Sequence, residues 1–177
     1  MPWPSATQLD TVRLILEPLK SQHATEMVAA LAAPELYAFT GGEPPTEDIL
    51  RSHYQRQAVG HSPASDAGWL NWIIRVKATQ ATVGYVQATL TIEDDALIAY
   101  AAWLVTPSAQ HGGIATEAAR TMLAWLLNQR VVGVRAFIHP HHQASARVAR
   151  RLGFVSTPVV VDGESLWKLP GHAHQPL

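Results

Sequence analysis

Residues 110–116 read Gln-His-Gly-Gly-Ile-Ala-Thr and lie between an apolar run over 99–105, closed by Thr106-Pro107, and an alanine-rich stretch with helical spacing. The mouth of a helix presents unpaired N–H groups and the positive end of the peptide dipoles, and glycine lets a ligand come close to both. Gly112 and Gly113 at such a mouth therefore read either as a phosphate cradle or as plain loop chemistry. One helix end contributes about 0.3–2 kcal/mol to a bound anion, so several N–H groups must act together. Two nucleotide-phosphate motifs are excluded. GxxxxGK[ST] needs a lysine that this loop lacks, and GxGxxG does not fit GGIATE.

His139, His141 and His142 form a second cluster, but no cysteine or pair of carboxylates stands nearby to complete a zinc set, so no metal is expected. Arg147, Arg150 and Arg151 follow on a helical stretch, where they either meet a phosphate or solvate a helix face. Trp69 and Trp72 stand three apart in an extended run and so point to opposite faces of a sheet. Trp72, in the middle of that run, is either core or the wall of an apolar pocket.

These residues need a frame, and the spacing predicts one. A first strand over 12–19 ends at Pro18. Ser21 caps a helix reaching Leu31, with Ala24, Met27, Val28 and Leu31 on one face. After a Gly- and Pro-rich loop over 37–45, Thr46 caps a second helix running to about Val59, with Glu47 and Asp48 in its first turn. Strands over 69–77, 82–92 and 96–105, joined by short turns, make an antiparallel meander. The strongest helix covers 112–128, with Ala115, Ala118, Ala119, Met122 and Leu126 as its apolar stripe. Val134, Ala136 and Ile138 alternate as one face of a fifth strand. A helix over 143–152 ends at Gly153, and strands over 155–161 and 165–169 close a hairpin around Asp162-Gly163. The expected class is α/β (α+β). About seven strands form a mixed, mostly antiparallel sheet with about four helices, in one domain over 1–177 with its core at 11–169 and a frayed tail at 170–177.

Composition narrows the function classes. Charged residues are 15% of the 177, against about 25% in ordinary soluble domains. A net charge of −1 gives no electrostatic case for nucleic acid. No apolar run approaches the ~20 residues of a membrane span, and the opening MPWPSATQLD lacks the basic and apolar regions of a signal peptide. Zero cysteines exclude disulfides and thiolate chemistry. A soluble, cytoplasmic protein with no nucleic-acid or membrane partner is expected, and its low charge is compatible with a homodimer.

With this element order, three stretches resemble the GNAT-superfamily N-acetyltransferases, and within them the ribosomal-protein-alanine acetyltransferase-like branch. Thr11, Arg13, Leu14, Leu16 and Leu19 match the T-x-R-L-x-L-x-x-L opening. Gln110, Gly113, Ala115, Thr116, Glu117 and Ala118 match the acetyl-CoA pyrophosphate loop. Residues 144–154, ASARVARRLGF, match the N-x-x-S-x-R-V-x-x-x-L-G-F ending. His111 replaces a usual glycine, and His142 replaces the asparagine that commonly touches the pantetheine arm.

The resemblance implies acetyl-CoA as co-substrate, bound by Gln110, His111, Gly112, Gly113, Ile114, Ala115 and Thr116. His142 and Arg147 complete that set. Backbone N–H groups around Leu104 and Val105 would polarise the thioester carbonyl. Ser145 matches the motif serine and would protonate the leaving thiolate, or else it bonds within its own helix. For the base, Glu43 in the first loop is the leading candidate, beside Tyr100 and His139. Trp72 and Tyr100 are candidate acceptor contacts, and Glu117 is a helix-dipole partner. The implied activity is direct acetyl transfer to a primary amine, either a protein N-terminal α-amine or a small-molecule amine. The alternative is an acyl-CoA-binding or sensor module of the same fold without turnover.

Overall fold

The computed structural model describes residues 3–170. The frayed tail expected from 170 falls almost wholly on 171–177, outside the described residues. Along the chain run β1 (Leu9–Asp10), β2 (Leu14–Pro18), α1 (Ala24–Ala30), α2 (Glu47–Gln57), β3 (Gly68–Val76), β4 (Thr82–Glu93) and β5 (Ala96–Val105). They are followed by α3 (Ile114–Asn128), β6 (Gly133–Ile138), α4 (Gln143–Leu152), β7 (Val155–Val161) and β8 (Glu164–Leu169). The strands form one sheet in the order β1-β2-β3-β4-β5-β6-β8-β7. Its pairings are antiparallel except for the parallel contact of β5 with β6. The strand beyond the expected seven is the two-residue β1, too short to carry a pattern.

Period-two alternation divides the side chains between two cores. Leu70, Trp72 and Ile74 of β3, Val86, Ala88 and Leu90 of β4, and Ala99, Ala101 and Val105 of β5 pack with Ala118, Ala119, Met122 and Leu126 of α3. On the other face Ile73 packs with Leu19, Met27, Leu50 and Tyr54 beneath α1 and α2. Trp72 is fully buried on the α3 side, edge-on to Trp125 at 5.4 Å, and its Nε1 donates to the Thr7 carbonyl (2.7 Å). Of its two readings, core or pocket wall, this burial fits the core, and its strand parity turns it away from the face of the sheet beneath α1 and α2.

Local signals act as read in most places. Thr46 accepts from the Ile49 N–H at the start of α2 (3.4 Å), and Gly153 ends α4 at φ 92°. Asp94-Asp95 and Asp162-Gly163 both take positive φ in their hairpins, the requirement of tight turns that follow the sheet's twist. Ser21 does not cap a helix. It starts a 3₁₀ turn, Ser21–His23, whose N-cap is Lys20, and the Lys20 N–H donates to His23 Nδ1 (3.1 Å).

Candidate active site

The site begins where a strand pair separates. β5 and β6 pair only through Ile98↔Gly133, Ala99↔Val134 and Tyr100↔Arg135, although β5 runs on to Val105 and β6 to Ile138. Beyond Tyr100 the facing backbone edges stand apart, and a cleft of about 1190 Å³ opens along them. The direction of each N–H follows from the ladder on the other side. The β4–β5 register is unbroken from Gly84↔Val105 to Glu93↔Ala96, and the Thr106 N–H donates to the Val83 carbonyl (2.7 Å). Alternation in an antiparallel ladder then turns the backbone groups of Leu104 to β4 and those of Val105 to the β6 side. Gln110 Nε2 donates to the Val105 carbonyl (2.9 Å), which leaves the Val105 N–H facing the cleft. Gly84 makes this approach possible, since a Cβ there would lie 2.0 Å from the Leu104 oxygen.

The loop 110–113 adds further donors. His111 (φ 67°) and Gly113 (φ 78°) both adopt left-handed backbone, and Gly113 is the N-cap of α3. The left-handed backbone at 111 is one that glycine adopts freely and that histidine tolerates better than most residues. Gly112 lacks positive φ, and a Cβ there would meet nothing. Among the described residues no N–H from His111 to Thr116 has a hydrogen-bond partner within the chain. Left-handed and ordinary backbone alternating at a helix mouth turns such donors into a common concavity that suits an anion.

α4 closes the far side. Its N-cap is His142, whose Nδ1 accepts from the Ser145 N–H (3.4 Å). Burial, then the neighbouring His139, push the His142 pKa below that of an ordinary imidazole, so the ring is neutral and able to accept. Phe39, from the loop before α2, stacks on His142 (centroids 4.6 Å apart, planes at 20°) and tilts over His139 (5.2 Å). His139 Nδ1 accepts from the His141 N–H (3.2 Å). Ser145 is half-buried with its hydroxyl uncommitted, and Arg147 is exposed at the same rim. Among the described residues no group of three or more His, Cys, Asp or Glu is placed to hold a metal, and no helix is long and apolar enough to cross a membrane.

The remaining wall comes from α2, β4 and the loop over 38–46. Glu43 lines the cleft from that loop. Tyr85, Gln87 and Thr89 alternate along β4 on the face toward α2, and Tyr54 reaches the cleft from α2. The Tyr54 hydroxyl is buried without a partner, and burial pushes its pKa far up, so it is a neutral donor. Tyr100 also lines the cleft. Its hydroxyl donates to Glu93 (2.8 Å) and accepts from Arg135 (2.8 Å), and its ring stacks on Phe137. Tyr54, Tyr85 and Gln87 were missed from the sequence, although the alternation of Tyr85, Gln87, Thr89 and Thr91 with Val86, Ala88, Leu90 and Ile92 marks a polar sheet face.

The profile of the family described as "Acetyltransferase (GNAT) domain" matches residues 13–155. No curated protein matches the chain significantly in sequence. Among solved structures, a Bordetella pertussis protein assigned to the GNAT acetyltransferases superposes with a TM-score of 0.69 at 24% identity, covering 93% of this chain and 100% of its own. RimL, the ribosomal L7/L12 alpha-N-protein acetyltransferase in complex with coenzyme A, gives 0.74 at 14% identity, with 92% and 97% covered. The aminoglycoside acetyltransferase AAC(6')-Ib with coenzyme A gives 0.72 at 15%, with 90% and 95% covered. The family profile reaches from Arg13 of the T-x-R opening past the L-G-F ending, and the chain belongs to the GNAT family of acetyltransferases.

Proposed function

We propose that the protein transfers an acetyl group from acetyl-CoA to a primary amine, directly, with both substrates bound. The observation that carries this reading is the two sets of uncommitted backbone donors, the Val105 N–H and those of His111–Thr116, beside a strand pair that has come apart. A pyrophosphate fits the N–H groups of 111–116, and the extended pantetheine arm fits the gap between β5 and β6. The Val105 N–H then stabilises the oxyanion as the amine attacks the thioester carbonyl. Leu104, with its backbone held in the ladder, contributes only its side chain to the wall. The Ser145 hydroxyl hydrogen-bonds the departing thiolate, whose pKa near 8.5 makes full proton transfer unnecessary. The neutral His142 holds the first turn of α4, and with it Ser145, in place.

Glu43 lines the acceptor side and is the carboxylate we assign to accept the amine's proton. A peptide α-amine, of pKa about 7.7–8.0, is roughly ten to twenty percent free at pH 7, whereas a lysine amine is about one part in 2,500 free. That difference favours the α-amine or another amine of low pKa as acceptor. We further propose that the exposed valines 155, 159, 160 and 161 of β7 support a homodimer, which sedimentation across protein concentration would test.

Thiol release from acetyl-CoA, measured against peptides with free N-termini, aminoglycosides and simple primary amines, tests the reading. Release with one class, reduced about tenfold or more in Ser145→Ala, is the expected result. Thermal stabilisation by acetyl-CoA with no release across the panel would replace it with a binding module.

A further inference from the structure

Two segments about a hundred residues apart meet beneath the loop 110–113. Arg13 Nη1 donates to the Gly112 carbonyl (3.0 Å), its Nε donates to Glu117 Oε2 (2.7 Å), and its Nη2 lies 2.6 Å from the same oxygen. Thr11 Oγ1 donates to Glu117 Oε1 (2.6 Å) and accepts from the Leu14 N–H (2.8 Å). Glu117 lies in the first turn of α3, so its carboxylate stands beside the donors that would hold an anion. Burial pushes that carboxyl up, but hydrogen bonds from Thr11 and Arg13 and the guanidinium charge outweigh it and keep Glu117 ionised.

We propose that Arg13 is a positioning residue for the coenzyme pyrophosphate, acting through the Gly112–Gly113 peptide and through Glu117. The first effect is geometric. In a trans peptide the C=O of one residue and the N–H of the next point in opposite directions. Drawing the Gly112 carbonyl down to Arg13 therefore turns the Gly113 N–H up, away from Arg13, and opposes a flip that two adjacent glycines would otherwise permit. The second effect is electrostatic. A carboxylate in the first turn stabilises the helix but repels an incoming phosphate, and the guanidinium, with two nitrogens on Glu117 Oε2, cancels that repulsion where it arises. Thr11 orients the second carboxylate oxygen, so the T-x-R opening and the loop motif form one unit.

This inference rests on the proposed pyrophosphate site, and its test separates the two. The probes are acetyl-CoA and S-acetyl-pantetheine, which carries the same thioester but no pyrophosphate. In wild-type protein the kcat/KM for acetyl-CoA is expected to exceed that for the truncated donor by a large factor. Equal values would remove the pyrophosphate site itself. Arg13→Ala is expected to raise the acetyl-CoA KM about tenfold, with kcat and the kcat/KM for S-acetyl-pantetheine within about twofold. Glu117→Gln alone is expected to change the acetyl-CoA KM by about twofold at most, and added to Arg13→Ala it recovers part of the loss, because the uncompensated carboxylate is gone. Arg13→Lys keeps the charge without the fork and falls between the two. Equal losses with both donors, or a double variant worse than Arg13→Ala, would make Arg13 a plain structural tie and overturn the proposal. So would a wild-type preference for acetyl-CoA that survives Arg13→Ala unchanged.

Discussion

The two halves of the cleft are built by different means. The half assigned to the coenzyme is mainly backbone: the Val105 N–H at a strand end and the N–H groups of 111–116 at a helix mouth. The half assigned to the acceptor is side chain: Tyr54 from α2, Tyr85 and Gln87 from β4, and Glu43 from a loop. A backbone site depends on conformation and on nearby chain segments, so it tolerates many side chains and fails when a glycine is lost. A side-chain site keeps its fold under substitution and changes what it holds. A common coenzyme with varied acceptors calls for this division.

The largest expected effect breaks the backbone half at its support. Gly84→Ala places a Cβ 2.0 Å from the Leu104 oxygen, which the paired strands cannot relieve by moving one flexible side chain. A loss of about 3 kcal/mol in urea denaturation is expected, since overpacking alone costs about 1–3 kcal/mol and a ladder contact is lost besides. Coenzyme affinity should fall with it, because the direction of the Val105 N–H depends on that ladder. A variant of normal stability would show that β4 and β5 do not lock this strand end.

Tyr54→Phe probes the other half and is expected to act with the opposite sign on stability. The Tyr54 hydroxyl is buried with no partner, so its removal takes away no bond and relieves a desolvated donor. A gain of about 1 kcal/mol is expected, together with a rise of about fivefold in the acceptor KM and no change in the coenzyme KM. A change confined to the coenzyme KM would move Tyr54 to the other half of the site.

The contrast between the halves also explains what the sequence disclosed. The coenzyme half rests on consecutive residues, so Gln110 to Thr116 could be read as a unit, and the helices and strands around them follow local periods of 3.6 and 2. Tyr54 and Tyr85 come together only through the packing of α2 on β4, and Tyr54 carries the same spacing from Leu50 as any core residue of that helix. Trp72 stays open between core and pocket wall in the sequence, because its parity is legible there but the face that the acceptor side takes is not. Val105 and Leu104 could not be distinguished, since N–H direction depends on the register with β4. The pairing of Arg13 with Glu117 had both residues in recognised motifs, and only their distance in sequence concealed it.

His142 is where the halves touch, since Phe39 of the acceptor loop stacks on the ring whose Nδ1 caps α4. Its pKa in the fold is lowered, by burial first and then by the charge of His139. The unfolded chain therefore takes up its proton more readily. Stability from the neutral ring is fully present above about pH 6.5, the unfolded value, and is lost as the pH falls from there through the folded value. Protonation also puts a hydrogen on Nδ1, so the ring can no longer accept from the Ser145 N–H, and the cap, typically worth about 0.5–2 kcal/mol, opens. His23 and His53 also have lowered pKa values from burial and lose stability in the same window, so wild-type protein alone cannot isolate the effect. His142→Asn keeps a capping side chain that does not titrate. The stability lost between pH 7.5 and pH 5.5 is expected to be smaller in His142→Asn than in wild type by about 0.5–1 kcal/mol, and kcat is expected to fall less over the same interval. Identical pH profiles would separate the α4 cap from the state of this imidazole and leave Phe39 as the only link between the two halves at His142.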